Sequence, residues 1–378
     1  RVPPWRSSRA GSVALMTVAH GGTPAARGYA PLFILAGSHG SLHWAVATFY
    51  FMLPFIKEAF ELSYTQTGLF ATINIVIDNE SFRRLVIALD QRSGEIAWQT
   101  PCGPPTSTIE LHAFNSLATP TPTADGKHVY AHFGGQGLFC VDYQGAIKWD
   151  FPDPVEPSHW GSGSSPILWQ NMVIMTYDVD HAALTVALQK QTGEVLWQID
   201  RTEGIDPGSD LYDSYHTPVV MQLDGVDQLV NCATSILTGH DLKTGVELWR
   251  FEHPGSQIVV SPLQWKDLLI VLGGEKQPYM GAVKVTREGR IWSVERQWEV
   301  KKRLPKISTP VVYGDHIYMV SNAGVASCIE AATGREAWKM RLLGTHYASV
   351  LAADGKVWFT NTIGTTTVIA AEPELNKI

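Results

Sequence analysis

Ala88-Leu89-Asp90-Gln91-Arg92-Ser93-Gly94-Glu95-Ile96-Ala97-Trp98 is the stretch on which the reading of this chain turns. An apolar strand ends at Asp90, a polar turn closes on Gly94, and a second strand ends on Trp98. Glycine supplies the positive φ that a three- to five-residue hairpin loop requires. The unit returns at 187–197 with Gly193 and Trp197, at 239–249 with Gly245 and Trp249, and at 328–338 with Gly334 and Trp338. Residues 140–149 carry it with one turn residue fewer, keeping Gly145 and Trp149. Residues 283–292 are a degraded copy, with Gly289 kept and Trp298 as a substitute anchor. A period of roughly 40–50 residues points to a solenoid or a propeller.

A second element precedes each hairpin: Ser or Thr, then Pro, an apolar strand, a polar turn and another apolar strand. It opens at Thr121-Pro122, Ser165-Pro166, Thr217-Pro218, Ser261-Pro262 and Thr309-Pro310, and without proline at Ser349-Val350. Proline can begin such a strand because its missing N–H lies at the end of the ladder. Two hairpins per repeat make four strands, which is one propeller blade. The expected fold is therefore all-β, a propeller of four-stranded antiparallel blades. Six hairpin units and an unfinished seventh are legible, so the expectation is about seven blades, with an incomplete ring. The repeat Trp residues are expected to be wedges between neighbouring blades, since large aromatics chiefly supply packing area.

Composition agrees. Hydrophobic residues make up 45% of the 378 and charged residues 17%, which excludes a disordered chain. The net charge of −7 argues against a nucleic-acid binder, which needs a basic face. Four single cysteines, Cys102, Cys140, Cys232 and Cys328, lie far apart with no CxxC pair, so neither a zinc site nor a redox motif is expected. Cys140 and Cys328 fall at inward strand positions, where cysteine acts as a small hydrophobe.

The N-terminal part is built differently. Residues 1–27, rich in Ala, Gly, Ser, Pro and Arg, are expected to be disordered. Residues 28–56 contain no Asp, Glu, Lys or Arg, a run long enough to cross a bilayer as one helix. Residues 28–74 are thus expected to be a hydrophobic membrane helix and linker, and 75–378 the propeller. The upstream arginines Arg1, Arg6, Arg9 and Arg27 favour a cytoplasmic N-terminus, which places the propeller on the extracytoplasmic, periplasmic side.

In such a fold the loops entering the innermost strands gather around one mouth of the central channel. They bring together His112, Asn115, His159, Trp160, Ser162, Tyr215, His216, Lys306 and His346, the candidate binding residues for a small polar ligand or a protein partner. No catalytic or metal-ligating signature stands out. Gly161-Ser162-Gly163-Ser164 lacks the strand-to-helix setting of a nucleophile elbow.

The Ala-x-Asp-x-x-Thr-Gly-x-x-x-Trp unit resembles the repeat of the pyrroloquinoline-quinone (PQQ)-type β-propellers. These include the quinoprotein alcohol dehydrogenases and the propeller lipoprotein of the outer-membrane β-barrel assembly machinery. The resemblance covers about residues 75–378 and implies the fold. It implies two alternatives for function: a non-catalytic scaffold without cofactor, or a PQQ- and calcium-dependent oxidoreductase acting on alcohols or sugars. The dehydrogenases place a vicinal cysteine pair over the quinone, and this chain has none. The scaffold is accordingly the leading expectation. Residues 28–73, through Leu53-Pro54-Phe55 and Leu62-Ser63-Tyr64-Thr65, are similar to the first helix of a major facilitator transporter.

Overall fold

The structure, a computed structural model, describes residues 73–78, 83–90, 93–105, 119–156, 160–179, 182–202, 214–255, 257–274 and 278–374. The expected N-terminal disorder and membrane helix lie outside the described residues. No helix among those described is long and apolar enough to cross a membrane. The first strand is Ile73–Asp78, so Ile73 and Asn74 pair with Ala88 and Ile87 as part of the first sheet.

The described strands form seven sheets, each an antiparallel meander in chain order. Five are four-stranded, spanning 123–151, 167–200, 219–252, 263–300 and 311–341. The first (73–102) and the last (351–370) have three strands each. This is the β-propeller architecture expected from the repeat. Middle strands such as Met172–Val179 and Leu268–Gly273 are buried along their whole length. Outer strands such as Val195–Asp200 alternate, burying the tryptophan.

Each half of the repeat joins neighbouring blades. The tryptophan side chain reaches the hairpin turn of the following blade, where its indole Nε1–H donates to a backbone carbonyl. Trp98 donates to Tyr143 at 2.9 Å, Trp149 to Lys190 at 2.9 Å and Trp197 to Leu242 at 3.0 Å. Trp298 and Trp338 donate to Ala331 and Glu372, both at 3.0 Å. The indole lies on the turn glycine of that next blade. A Cβ on Gly193 would stand 2.8 Å from Trp149, on Gly245 2.9 Å from Trp197, and on Gly334 2.6 Å from Trp298. These glycines also have φ near +70° to +75°. Positive φ and the indole overhead both require the missing side chain.

Opposite each tryptophan stands a small residue, and the ladder bulges there. The pairs are Ala88 with Trp98, Cys140 with Trp149, Ala187 with Trp197, Gly239 with Trp249, Ala282 with Trp298 and Cys328 with Trp338. Cys140 and Cys328 are thus small buried residues beside an indole, and burial pushes both thiols up to about 12. At the inner edge, the Ser/Thr-Pro element supplies a second link. Ser165 Oγ accepts from the Thr121 N–H, Thr217 Oγ1 from the Ser165 N–H, and Ser349 Oγ from the Thr309 N–H.

The fifth blade departs from the pattern for a physical reason. Its outer hairpin, Tyr279–Glu288 with Ile291–Val300, runs on for several residue pairs beyond the Ala282–Trp298 pair. Trp298 is the true anchor, as its bond to Ala331 shows. Gly289 sits at the tip of the extended arm with open space around it, so it does not play the role of the other turn glycines. Val283 and Val285 of the arm pack into the cluster around Trp249. With no turn glycine to lie on, Trp249 donates instead to the buried Gln228 Oε1 at 2.6 Å.

Candidate functional site

The rim formed by the outer-to-inner strand loops and the second-to-third strand turns carries a buried polar system in the second, third and fourth blades. His132 is the penultimate residue of the strand His128–Phe133 and is 1% exposed. Its Nε2 lies 2.9 Å from Asp153 Oδ1, and Asp153 Oδ2 accepts the Gly135 N–H at 2.7 Å. Ser162 Oγ is 3.4 Å from His132 Nδ1 on the other side of the ring. The Tyr177 ring meets the His132 ring edge-on, with centroids 5.5 Å apart. These residues, with Ser164, Thr176, Asp178 and Ser214, line a cavity of ≈ 20 Å3, room for about one water.

Behind the cavity, Asp178 and Arg201 form a buried ion pair, and Arg201 Nε also donates to Thr185 Oγ1 at 3.0 Å. Burial raises the Asp178 carboxyl to about 6 against the opposing pull of Arg201. Thr176 Oγ1 donates to Asn231 Oδ1 at 3.2 Å and so ties the third blade to the fourth.

The fourth blade buries three histidines. His216 takes the Cys232 N–H on Nε2 at 3.0 Å and meets Ser214 Oγ at 2.9 Å on Nδ1. His240 bridges the Gly245 carbonyl and Thr238 Oγ1. The His253 ring stacks on Tyr279. Burial lowers His216 to about 3 and His240 and His253 to about 4. In the pH range between those values and the ordinary 6.5, the unfolded chain binds protons that the native state refuses. Stability therefore rises with pH there and is lost on acidification. Asp178 has the opposite sign, because its native carboxyl takes a proton below about 6, and it cancels one histidine. The net slope between pH 6 and pH 4 is up to about 3 kcal/mol per pH unit, at 1.36 kcal/mol for each remaining histidine. Urea unfolding midpoints at pH 7, 6 and 5 test it; a midpoint that stays level would rule out three neutral buried histidines.

The sequence candidates separate into groups. His112, Asn115 and His159 lie outside the described residues. Trp160 is partly exposed beside the cavity loop, and Ser162 lines the cavity itself. Tyr215 is half-buried, its Cβ close under Gly163. His216 is wholly buried, with both ring nitrogens held within its own blade. Lys306 and His346 are both tied by their backbone to Asn322. The Lys306 N–H donates to Asn322 Oδ1 and the His346 N–H to the Asn322 carbonyl, each at 3.1 Å.

A family model described as outer membrane protein assembly factor BamB matches residues 74–235 and again 233–374. The chain belongs to the BamB family. The crystal structure of BamB from Moraxella catarrhalis is similar at 19% identity and a TM-score of 0.56, covering 78% of this chain and 84% of that one. A quinohemoprotein alcohol dehydrogenase from Pseudomonas putida HK5 is similar at 11% identity, TM-score 0.42, over 74% of this chain and 67% of that one. A europium-containing methanol dehydrogenase follows at 10% identity, TM-score 0.40, over 79% and 80%. No curated protein matches by sequence.

In this BamB-family chain, the residues that build the cavity include several that the motif reading passed over. His132, Asp153, Tyr177 and Asp178 lie in strands or just beyond them, outside the residues before each Ser/Thr-Pro. One signal was present: polar Thr176 and Asp178 interrupt the otherwise apolar Met172–Val179 strand. The cysteines are single and buried, and among the described residues no three His, Cys, Asp or Glu side chains are grouped to hold a metal.

Proposed function

We propose that this chain is an assembly factor for outer-membrane proteins, working outside the cytoplasm and binding a protein partner at the propeller rim. The match of the BamB family model from residue 74 to residue 374 carries the reading. The rim supplies apolar contact surface suited to a protein partner. Leu343, in the loop leaving Glu336–Arg341, is 84% exposed, and Ile363, in the turn after Lys356–Thr360, is 77% exposed. The Asn361 side-chain amide donates to the Leu343 carbonyl at 3.1 Å, holding the two loops side by side. Two neighbouring exposed aliphatics on a rigid scaffold are candidate hot spots.

The test is co-purification with the outer-membrane β-barrel assembly machinery, comparing the native chain with a Leu343→Asp/Ile363→Asp double variant. The native chain should be retained. The double variant should bind at least about tenfold more weakly, the equivalent of about 1.4 kcal/mol, with an unaltered melting temperature. Retention of neither protein would overturn the proposed function, and equal retention of both would remove these two residues from it.

A further inference from the structure

We propose that Ser162 is an activated nucleophile, with His132 as its general base and Asp153 orienting that base, so that its hydroxyl can take a small acyl group at the rim. This activity is separate from partner binding and rests on different blades from Leu343 and Ile363.

The arrangement has the three parts such a serine needs: a hydroxyl, a base within reach, and a third group that orients the base. Asp153 is an acceptor, so it selects the His132 tautomer with the proton on Nε2, directed at Oδ1 over 2.9 Å. The lone pair of Nδ1 is then left facing Ser162 Oγ at 3.4 Å. Such a gap is ordinary for a serine–histidine contact before substrate closes it. The orienting group is itself held, because the Gly135 N–H fixes the second Asp153 oxygen. The edge-on Tyr177 ring fixes the plane of the imidazole.

Glycines make the approach possible. A Cβ on Gly134 would lie 2.9 Å from the Ser162 Cβ, and one on Gly163 would lie 2.7 Å from the Tyr215 Cβ. Any larger residue at either place would displace the serine from the histidine strand. Ser164, two residues on, lines the same cavity with a buried hydroxyl that has no hydrogen-bond partner among the described residues. That hydroxyl is a donor available to the oxygen on which charge develops when a carbonyl is attacked. Ser162 is half-buried at the edge of a cavity with room for about one water, so only a small acyl group is expected to reach its hydroxyl, from the rim side.

The chemistry balances with water as the only co-reactant. Ser162 Oγ bonds to the ester carbonyl carbon while its proton passes to His132 Nδ1. The ester C–O bond breaks, and the alcohol leaves with the proton from His132. Water, deprotonated by the same nitrogen, then attacks the acyl-serine, and the carboxylic acid is released with Ser162 restored.

The experiment treats the full chain with p-nitrophenyl acetate, follows p-nitrophenolate release, and maps the acetyl group by peptide mass spectrometry. A burst of about one p-nitrophenolate per chain and acetylation at Ser162 are expected. Ser162→Ala should abolish both, and His132→Gln should slow Ser162 acetylation by about 10²–10⁴-fold. Thermal melts of each variant accompany the assay. If His132→Gln fails to fold, Asp153→Asn takes its place, since it weakens the preference for the Nε2–H tautomer and should also slow acetylation. Acetyl groups found only on lysines, or Ser162 acetylation at an unchanged rate in the folded base variant, would overturn the proposal.

Discussion

Trp197→Ala should lower the unfolding free energy by about 3–5 kcal/mol, the range for deleting a large buried aromatic. The ring is buried between the third and fourth blades, among residues that include Ile174, Ala187 and Leu242. Its indole N–H is bonded to the Leu242 carbonyl. Truncation leaves a cavity at a blade interface and a carbonyl without its donor. The partner glycine permits a sharper test. In Gly245→Ala, the new methyl would stand 2.9 Å from Trp197 and 3.0 Å from Ile199 at a φ of +75°. This variant should lose more than about 1 kcal/mol by strain alone. In the Trp197→Ala background the indole clash is gone, and only the backbone strain and the Ile199 contact persist. The cost of Gly245→Ala should therefore shrink, a coupling that a double-mutant cycle measures by urea denaturation. Additive losses would mean that the two residues do not form one joint.

Arg201→Met should be comparably damaging, about 3–5 kcal/mol, because it strips the partner from a buried carboxylate. Asp178 has no exposed side-chain surface, and Arg201 is its charge partner. Two further readouts separate this electrostatic cause from lost packing. Asp178→Asn combined with Arg201→Met should recover much of the loss, since no uncompensated charge remains buried. The single variant should also lose less at pH 5 than at pH 7. Without Arg201 the Asp178 carboxyl is raised further, so the native state binds its proton more readily on acidification, and that difference favours the folded form. A loss that is independent of pH and survives in the double variant would assign the effect to the arginine stem instead.

The blade joints were legible because each is carried by local sequence. Gly94, Gly145, Gly193, Gly245 and Gly334 each stand a few residues before a tryptophan, since turn chemistry and strand length are short-range properties. The partner of each joint was not legible. The tryptophan of one repeat rests on the glycine of the next, some 36–48 residues away, as Trp298 with Gly334 and Trp197 with Gly245 show. The same limit explains the fifth blade. Gly289 satisfies the local motif, yet the extended ladder from Val283 to Arg296 carries it away from any indole and leaves Trp249 to Gln228.

The candidate site was legible only in part. Ser162 could be placed at the rim from the loop rule, whereas His132 and Asp153 could not be linked to it. His132 and Asp153 belong to the second blade and its exit, and Ser162, 30 residues from His132, joins them only when the loop entering the third blade packs back on the second. His216 is placed at the rim by the loop rule, while its burial and its acceptance of the Cys232 N–H are set by contacts across its own blade.

What the sequence determined by itself is the blade: strand alternation, turn glycines and the tryptophan that ends each hairpin are all set by neighbours within a hairpin. What only the tertiary structure decided is which blades share a buried charge, which histidines are sealed from water, and which serine faces an imidazole. The reason is physical. Backbone hydrogen bonding and side-chain alternation act over a few residues, while desolvation and polar pairing depend on surfaces brought together from separate repeats.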